Sequence, residues 1–362
     1  MSQQSVKVCY VLAYKYPNYV RTSVILGALK LAKGVELYTA INTNPSVVRY
    51  LQTTVRLIKQ RIINHPDIYI FGFRSHETFW IFRLITIGRP VIFDEFINMQ
   101  QSLVGEKKIL KKDSIFSKLS YQYVRLMHKS VRLILADTNL HAESSSKTYG
   151  TPIKKYRTLY VGTDEATFKP LKANKNKQGK FSVFFYGNIE ALHGVKHILE
   201  SAKNLRESGI EFVIVGGKGS RKTVSYISNY INDNHLDNVK YLEWVPFAKL
   251  PDYISNADVC LGGPFGATPQ AKKVITGKTF QFLAMGRPTI VGKIDEEIGF
   301  VDRKNCLLVE QGSTDKLTSA IKWAFDNQQK LSIIGDGARK LYQDKFSVSE
   351  ASKMLGDMVT RL

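Results

Sequence analysis

Short runs of β-branched and aromatic residues alternate with longer stretches of helical period along both halves of this chain. In the first half, residues 6–12, 68–73, 91–94, 133–136 and 156–161 read as buried strands, with helical stretches such as 46–63 and 114–130 between them. Residues 171–180 (LKANKNKQGK) are polar, lysine-rich and without apolar period, and read as a linker. Beyond it the rhythm restarts more cleanly. Residues 181–186 form a strand, 193–208 a helix, and 212–215 a strand that ends at Gly216-Gly217. Further strands are expected at 239–243, 259–261, 288–291 and 306–309, with helices at 223–233, 248–255, 278–285, 314–327 and 330–346. Strands alternating with helices predict βαβ units and parallel sheets. The expected architecture is α/β, with two Rossmann-like doubly wound domains facing a central cleft. Their bounds are 1–170 and 181–345, and a last helix over 346–362 can cross back to the first domain. Ser347-Val348-Ser349-Glu350 has the form of a capping box opening that helix.

Composition narrows the class. Of 362 residues, 44% are hydrophobic and 23% charged, as in soluble globular proteins. Cys9, Cys260 and Cys306 are odd in number and far apart, which argues against a disulfide framework and for a reducing compartment. No Cys/His spacing suits zinc, so no metal site is expected. The polar start MSQQSVKV lacks signal-peptide form, and no apolar run reaches spanning length; residues 78–87 come nearest but contain Arg83. A cytoplasmic protein, peripheral at the inner face of the plasma membrane, is the expectation.

Charge separates the halves. Lys and Arg outnumber Asp and Glu by 29 to 11 over residues 1–180, but only by 23 to 20 over 181–362. The positive field of the first half suits an anionic partner, a phospholipid surface or a nucleic acid. The plain alternative is a solvated basic face that aids solubility. Candidate membrane contacts are Lys107, Lys108, Lys111, Lys112, Lys118, Arg125 and Lys129, interleaved with Ile109, Leu110, Ile115, Phe116 and Leu119. No RNA-binding signature accompanies the basicity, so a nucleic-acid partner is not expected.

The stretch with most chemistry is 261–291, LGGPFGATPQAKKVITGKTFQFLAMGRPTIV. It runs from a strand end through a Gly- and Pro-rich loop into a helix and a further strand. A helix N-terminus offers free N–H groups and partial positive charge, so a diphosphate can sit there. Lys278 adds a full charge in the first turn, and Gln281 lies on the same face, able to hydrogen-bond a ribose hydroxyl. On periodicity alone, an ordinary αβ unit with an exposed lysine is the favoured reading.

This stretch resembles the donor-binding segment of GT-B glycosyltransferases, in particular the retaining family numbered four. The resemblance covers nearly the whole second domain. It includes Phe184 to Ile189, Leu192-His193-Gly194, Val213 to Gly216, Trp244-Val245-Pro246, Leu250 to Ile254, Ala257-Asp258-Val259, Lys278 to Pro288, and Asn305 to Val309. In the first domain it rests on Ala136-Asp137-Thr138 and Tyr160 to Asp164 with Phe168 and Pro170. Two departures stand out. Where the family has Arg and Lys around the first glycine loop, this chain has Asn188 and His193. Where it has two glutamates, this chain has Lys273 and Gln281. The Leu-His-Gly and Lys-Thr-Phe-Gln pattern resembles a bacterial subgroup.

The resemblance implies a metal-independent transfer, with retention, of a sugar from a nucleotide-sugar substrate to a lipid-linked or polysaccharide acceptor in cell-surface glycan synthesis, with no cofactor. The absence of any Asp-x-Asp agrees with that. Donor contacts are expected from Gly187, Asn188, a donated His193 hydrogen bond, Gly216, Val245, backbone N–H groups at Gly266, Lys273, Lys278 and Gln281. Lys278 would stabilise the leaving diphosphate. In the first domain, Asp94 or Glu95 would stand near the reacting sugar, or pair as strand-end carboxylates with Arg74 or Arg89. Arg74 and His76 follow a strand end and would border the acceptor. The missing cations and glutamates also admit a catalytically silent scaffold that binds sugar nucleotides.

Overall fold

A computed structural model of the chain describes residues 5–106, 109–172 and 179–362. The chain divides into two compact units, Met1–Gly162 with Ser347–Leu362, and Thr163–Phe346.

The first unit runs β1 (Val6–Leu12), α1 (Val20–Leu31), β2 (Val35–Ile41), α2 (Val48–Ile63), β3 (Ile68–Phe71), α3 (Phe79–Ile85), β4 (Val91–Asp94), α4 (Ile115–Ser130), β5 (Leu133–Ala136), α5 (Asn139–Tyr149) and β6 (Tyr156–Thr158). Its strands form one parallel sheet in the order β2-β1-β3-β4-β5-β6. Side chains alternate across the strands, so each face has its own core. Val8, Tyr10, Ile70 and Ile92 meet Val24, Ile25 and Leu29 of α1 on one face. Val11, Phe71, Phe93 and Ile134 meet Leu57 of α2, Phe79 and Phe82 of α3, and Met127 of α4 on the other. The sequence reading missed β2. Its segment, VELYTAI, is an edge strand, half-buried along most of its length, and lacks the continuous apolar run of its neighbours.

The second unit runs β7 (Phe181–Tyr186), α6 (Val195–Asn204), β8 (Ile210–Val215), α7 (Arg221–Asp233), β9 (Val239–Leu242), α8 (Leu250–Asn256), β10 (Val259–Gly263), α9 (Gly277–Ala284), β11 (Thr289–Gly292), β12 (Leu307–Val309), α10 (Thr314–Asp326) and α11 (Gln328–Lys345). Its parallel sheet has the order β12-β11-β10-β7-β8-β9. Numbered within the unit, that is the dinucleotide-binding order 3-2-1-4-5-6, whereas the first unit follows the flavodoxin-like order. Both are doubly wound, but their switch points differ.

The first unit ends at Gly162, not at 170. The apolar anchor Phe168 lies beyond that point and is fully buried among Phe184, Val215, Val245 and Leu250, while Glu165 accepts a hydrogen bond from the Tyr342 hydroxyl at 3.0 Å. Polarity rises only after Pro170, which misplaced the boundary. Of the expected linker, 173–178 lie outside the described residues. The last helix, α12 (Val348–Thr360), belongs to the first unit. Ser347 Oγ accepts from the Glu350 N–H at 3.3 Å, and Leu355, Met358 and Val359 enter the core that α1 covers. All three cysteines are buried and free. Among the described residues, no helix is long and apolar enough to cross a membrane.

Candidate functional site

In the second unit, β7 and β10 are neighbours, and the chain leaves them toward opposite edges of the sheet. Loops diverge at such a point, and their backbone groups are left free to meet a ligand. Three segments close in on one another there. Gly187 and Gly216, at the ends of β7 and β8, have φ of +150° and +151°. A Cβ on Gly216 would stand 2.1 Å from the Gly187 carbonyl oxygen, so glycine is required. A Cβ on Gly194 would stand 2.5 Å from the Phe265 carbonyl carbon, and one on Gly266 2.2 Å from the Ala191 carbonyl oxygen. The loop after β7 and the loop after β10 are therefore in backbone contact.

Lys278 enters this junction from the first turn of α9. It is buried, its ammonium 5.2 Å from the Phe185 ring centre, and its Cε would be 3.1 Å from a Cβ at Gly187. Burial lowers its pKa from 10.5 to about 7, with Glu190 pulling weakly upward. Among the described residues, no carboxylate stands within salt-bridge distance of it. The helix N-terminus adds positive potential beside it. Gln281, one turn on, is buried, and its Oε1 has no hydrogen-bond partner among the described residues. A buried amide oxygen without a donor is costly unless a ligand supplies one. Together, Lys278 and Gln281 present an uncompensated cation and an unmet acceptor on one face of one helix.

His193 corrects the expectation of a donated hydrogen bond. Its Nδ1 is bonded to the Asn188 carbonyl oxygen, which can only accept, so Nδ1 carries the proton. Burial, then the neighbouring Lys278, lowers its pKa to about 3. A neutral ring with Nδ1 protonated presents Nε2 as an acceptor, and it cannot donate to a phosphate. Gly266 is corrected likewise. Its N–H donates to the Leu192 carbonyl at 2.9 Å and so holds the two loops together instead of facing a sugar. Val245 is buried among Phe168, Val215 and Leu250. Asn188 is exposed, and Lys273 is half-buried with its pKa lowered by burial.

The first unit's predicted residues meet different surroundings. Asp94, at the end of β4, is fully buried and bound by Arg21 of α1, with Nη2 to Oδ1 at 2.8 Å and Nε to Oδ1 at 3.1 Å. Arg21 also donates to the carbonyls of Leu159 and Tyr160. The partner of Asp94 is thus neither Arg74 nor Arg89, and its carboxylate is enclosed, not offered to a substrate. Arg89 pairs with Asp67, and Arg74 with Glu77. Glu95 is buried; its Oε2 accepts from Ser145 at 2.7 Å, and its Oε1 lies 3.5 Å from His128 Nε2. His76 is lowered to about 4, first by burial and then by Arg74.

Sequence reasoning missed a buried pair beside Glu95. Asp137 follows β5, and His141 stands one turn into α5, with Nδ1 2.6 Å from Asp137 Oδ1. Burial alone would lower His141, but the charge and hydrogen bond of Asp137, with Glu95 nearby, lift its pKa above the ordinary value. The signal was present: Thr138 caps α5 by accepting from the His141 N–H at 3.0 Å, which fixes Asp137 and His141 four residues apart on one face. An open cavity of about 540 Å³ lies elsewhere in this unit, at the edge strand β2, lined by Asn18, Asn42, Thr43, Arg56 and Lys59 among others.

Comparison with known proteins agrees with this geometry. Residues 180–327 match the family model described as glycosyl transferases group 1. HepE from Anabaena, solved in complex with UDP and glucose, superposes with a TM-score of 0.72 at 13% identity, covering 99% of this chain and 100% of that one. Sucrose-phosphate synthase from Thermosynechococcus elongatus gives 0.73 at 12%, covering 99% of each. A glycosyltransferase from Rickettsia africae gives 0.72 at 12%, covering 99% of this chain and 98% of its own. No curated protein matches the chain. At such identities the structures speak for the fold, and the family match covers most of the second unit. The chain has the two-domain GT-B fold of these structures, and within it residues 180–327 are similar to the glycosyl transferases of group 1.

Proposed function

We propose that this chain moves a sugar from a nucleotide-diphosphate donor to a lipid-linked or polysaccharide acceptor at an anionic membrane face, with retention at the anomeric carbon and without a metal ion. The observation that carries the donor side is the pairing on α9 of an unneutralised buried lysine with a buried amide lacking a donor. A diphosphate supplies the charge that Lys278 lacks, and a ribose hydroxyl supplies the hydrogen that Gln281 Oε1 lacks. As the glycosidic bond to the phosphate breaks, negative charge grows on the leaving diphosphate, and Lys278 with the first-turn N–H groups of α9 stabilises it. Retention is supported by the ordered motifs of the second domain, and UDP as the nucleotide by its presence in HepE. The first unit recognises the acceptor.

A thermal-shift panel of UDP-, GDP-, ADP- and CMP-sugars tests the donor. A bound donor raises the unfolding midpoint, and UDP-sugars are expected to do so. A panel in which no nucleotide sugar shifts the midpoint would sink the reading. Nuclear magnetic resonance of the product tests retention through the configuration of the new bond.

A further inference from the structure

We infer that the outward face of α2, α3 and α4 is a docking surface for an anionic lipid bilayer. The inference rests on the reading of a membrane-presented acceptor and deepens it by naming the surface. Val48, Leu51, Val55, Ile58 and Ile62 are all exposed. At the angular step of an α-helix they fall within an arc of about 80°. The opposite side of α2 holds Leu57, which is fully buried against the sheet. The helix is therefore apolar on both its inner and its outer face.

The stripe continues onto the neighbouring helices. Arg61 of α2 donates to the Ile87 carbonyl beyond α3 at 3.1 Å, and Arg83 of α3 donates to the Ser130 carbonyl ending α4 at 3.3 Å. On α3, Trp80, Ile81 and Leu84 are exposed; on α4, Ile115, Phe116 and Leu119. Leu51 is 67% exposed, Leu84 69% and Phe116 67%. An exposed apolar surface spread over three adjacent helices marks an interaction site rather than scattered surface residues.

Charge selects the occupant. The three helices contain no Asp or Glu, and they carry Arg49, Arg56, Lys59, Arg61, Arg83, Lys118, Arg125 and Lys129. The carboxylates beside them are held by arginines: Glu77 by Arg74 and Arg49, Asp67 by Arg89. A second copy of the chain on this face would set cations against cations with no carboxylate to meet them. An acidic bilayer satisfies both requirements, since acyl chains take the apolar rows and phosphates take the cations. The cavity at β2 borders the stripe through Arg56 and Lys59 and gives headgroup phosphates a polar recess. Of the contacts expected from sequence, Lys118, Arg125, Lys129, Ile115, Phe116 and Leu119 lie on this surface, and Lys107 and Lys108 fall outside the described residues.

The test is flotation of the full chain with vesicles of phosphatidylcholine alone and with added phosphatidylglycerol. Quenching of Trp80 by brominated acyl chains is read in a Trp244→Phe, Trp323→Phe background. Binding is expected only with the anionic lipid, with Trp80 quenched. Lys59→Glu and Lys118→Glu are each expected to weaken binding at least about fivefold, from the usual contribution of one cation near an acidic surface. Leu51→Gln with Leu84→Gln is expected to abolish it; both positions are exposed, so folding is retained. Absence of vesicle binding overturns the inference. So does binding that these variants leave unchanged with Trp80 unquenched, and so does concentration-dependent self-association that the double variant abolishes in place of vesicle binding. Transfer to a water-soluble acceptor is expected to survive all these substitutions. Absence of vesicle binding by the unmodified chain with transfer intact would refute the docking surface alone, and absence of transfer in the unmodified chain would refute the functional reading.

Discussion

The two units each bury a cation beside their strand ends, Lys278 in the second and Arg21 in the first, and hold it in opposite states. In the second unit, Lys278 is buried without a carboxylate and Gln281 Oε1 without a donor. In the first, Asp94 is locked to Arg21, with Nη2 2.8 Å from Oδ1 and both side chains buried. Unmet polar groups lower stability and wait for a ligand; matched ones hold the fold and orient their neighbours. The difference supports the proposed binding role of the lysine and amide of α9 and gives the Arg21–Asp94 pair a structural one.

Lys278→Ala sharpens the contrast most. Glycosyl transfer is expected to fall by about two orders of magnitude or more, as for loss of a group that stabilises transition-state charge. Burial holds Lys278 at about 7 against 10.5 in the unfolded chain, so near neutral pH unfolding takes up a proton and the lysine weakens the fold. The same variant is therefore expected to unfold at a higher temperature. Lost activity together with lost stability would break the distinction.

Arg21→Met should act in the reverse sense. It leaves Asp94 buried without its partner and is expected to cost about 3–5 kcal/mol in urea unfolding. Donor binding by the material that remains folded should be unchanged, because the proposed nucleotide contacts belong to the other unit. A variant of normal stability would show that the pair does not hold the first unit together.

Gln281→Leu is the smallest of these effects. Removing the unmet oxygen should leave stability unchanged or slightly raised, and weaken nucleotide affinity about tenfold through the lost ribose hydrogen bond. Unaltered affinity would remove Gln281 from the donor site.

Much of the second unit was readable in the chain because its signals are local. Phe181–Tyr186 is a strand with the bounds expected, and Gly286, at φ +65°, stops the helix that Lys278 opens. The residues that define the first unit's charge network were not readable. Arg21 and Asp94 are 73 residues apart, and only the fold brings α1 to the end of β4. The tautomer of His193 likewise depends on one carbonyl, that of Asn188, whose direction no periodicity reports. The strand β2 was hidden because an edge position leaves it half-buried.

Calorimetric titration of UDP across pH tests the role of Lys278 most directly. Below about pH 7 Lys278 is already charged in the free protein and contributes no slope to the affinity. Above that pH, binding must return a proton to it, so affinity should fall about tenfold per pH unit until the bound-state pKa is passed. His193, held at about 3, stays neutral throughout and adds no slope. Proton uptake should appear as a dependence of the binding heat on buffer, and Lys278→Met should bind weakly with neither slope nor uptake. Unmodified protein that binds UDP equally well on both sides of pH 7, or a Lys278→Met variant that binds as tightly, would contradict the account.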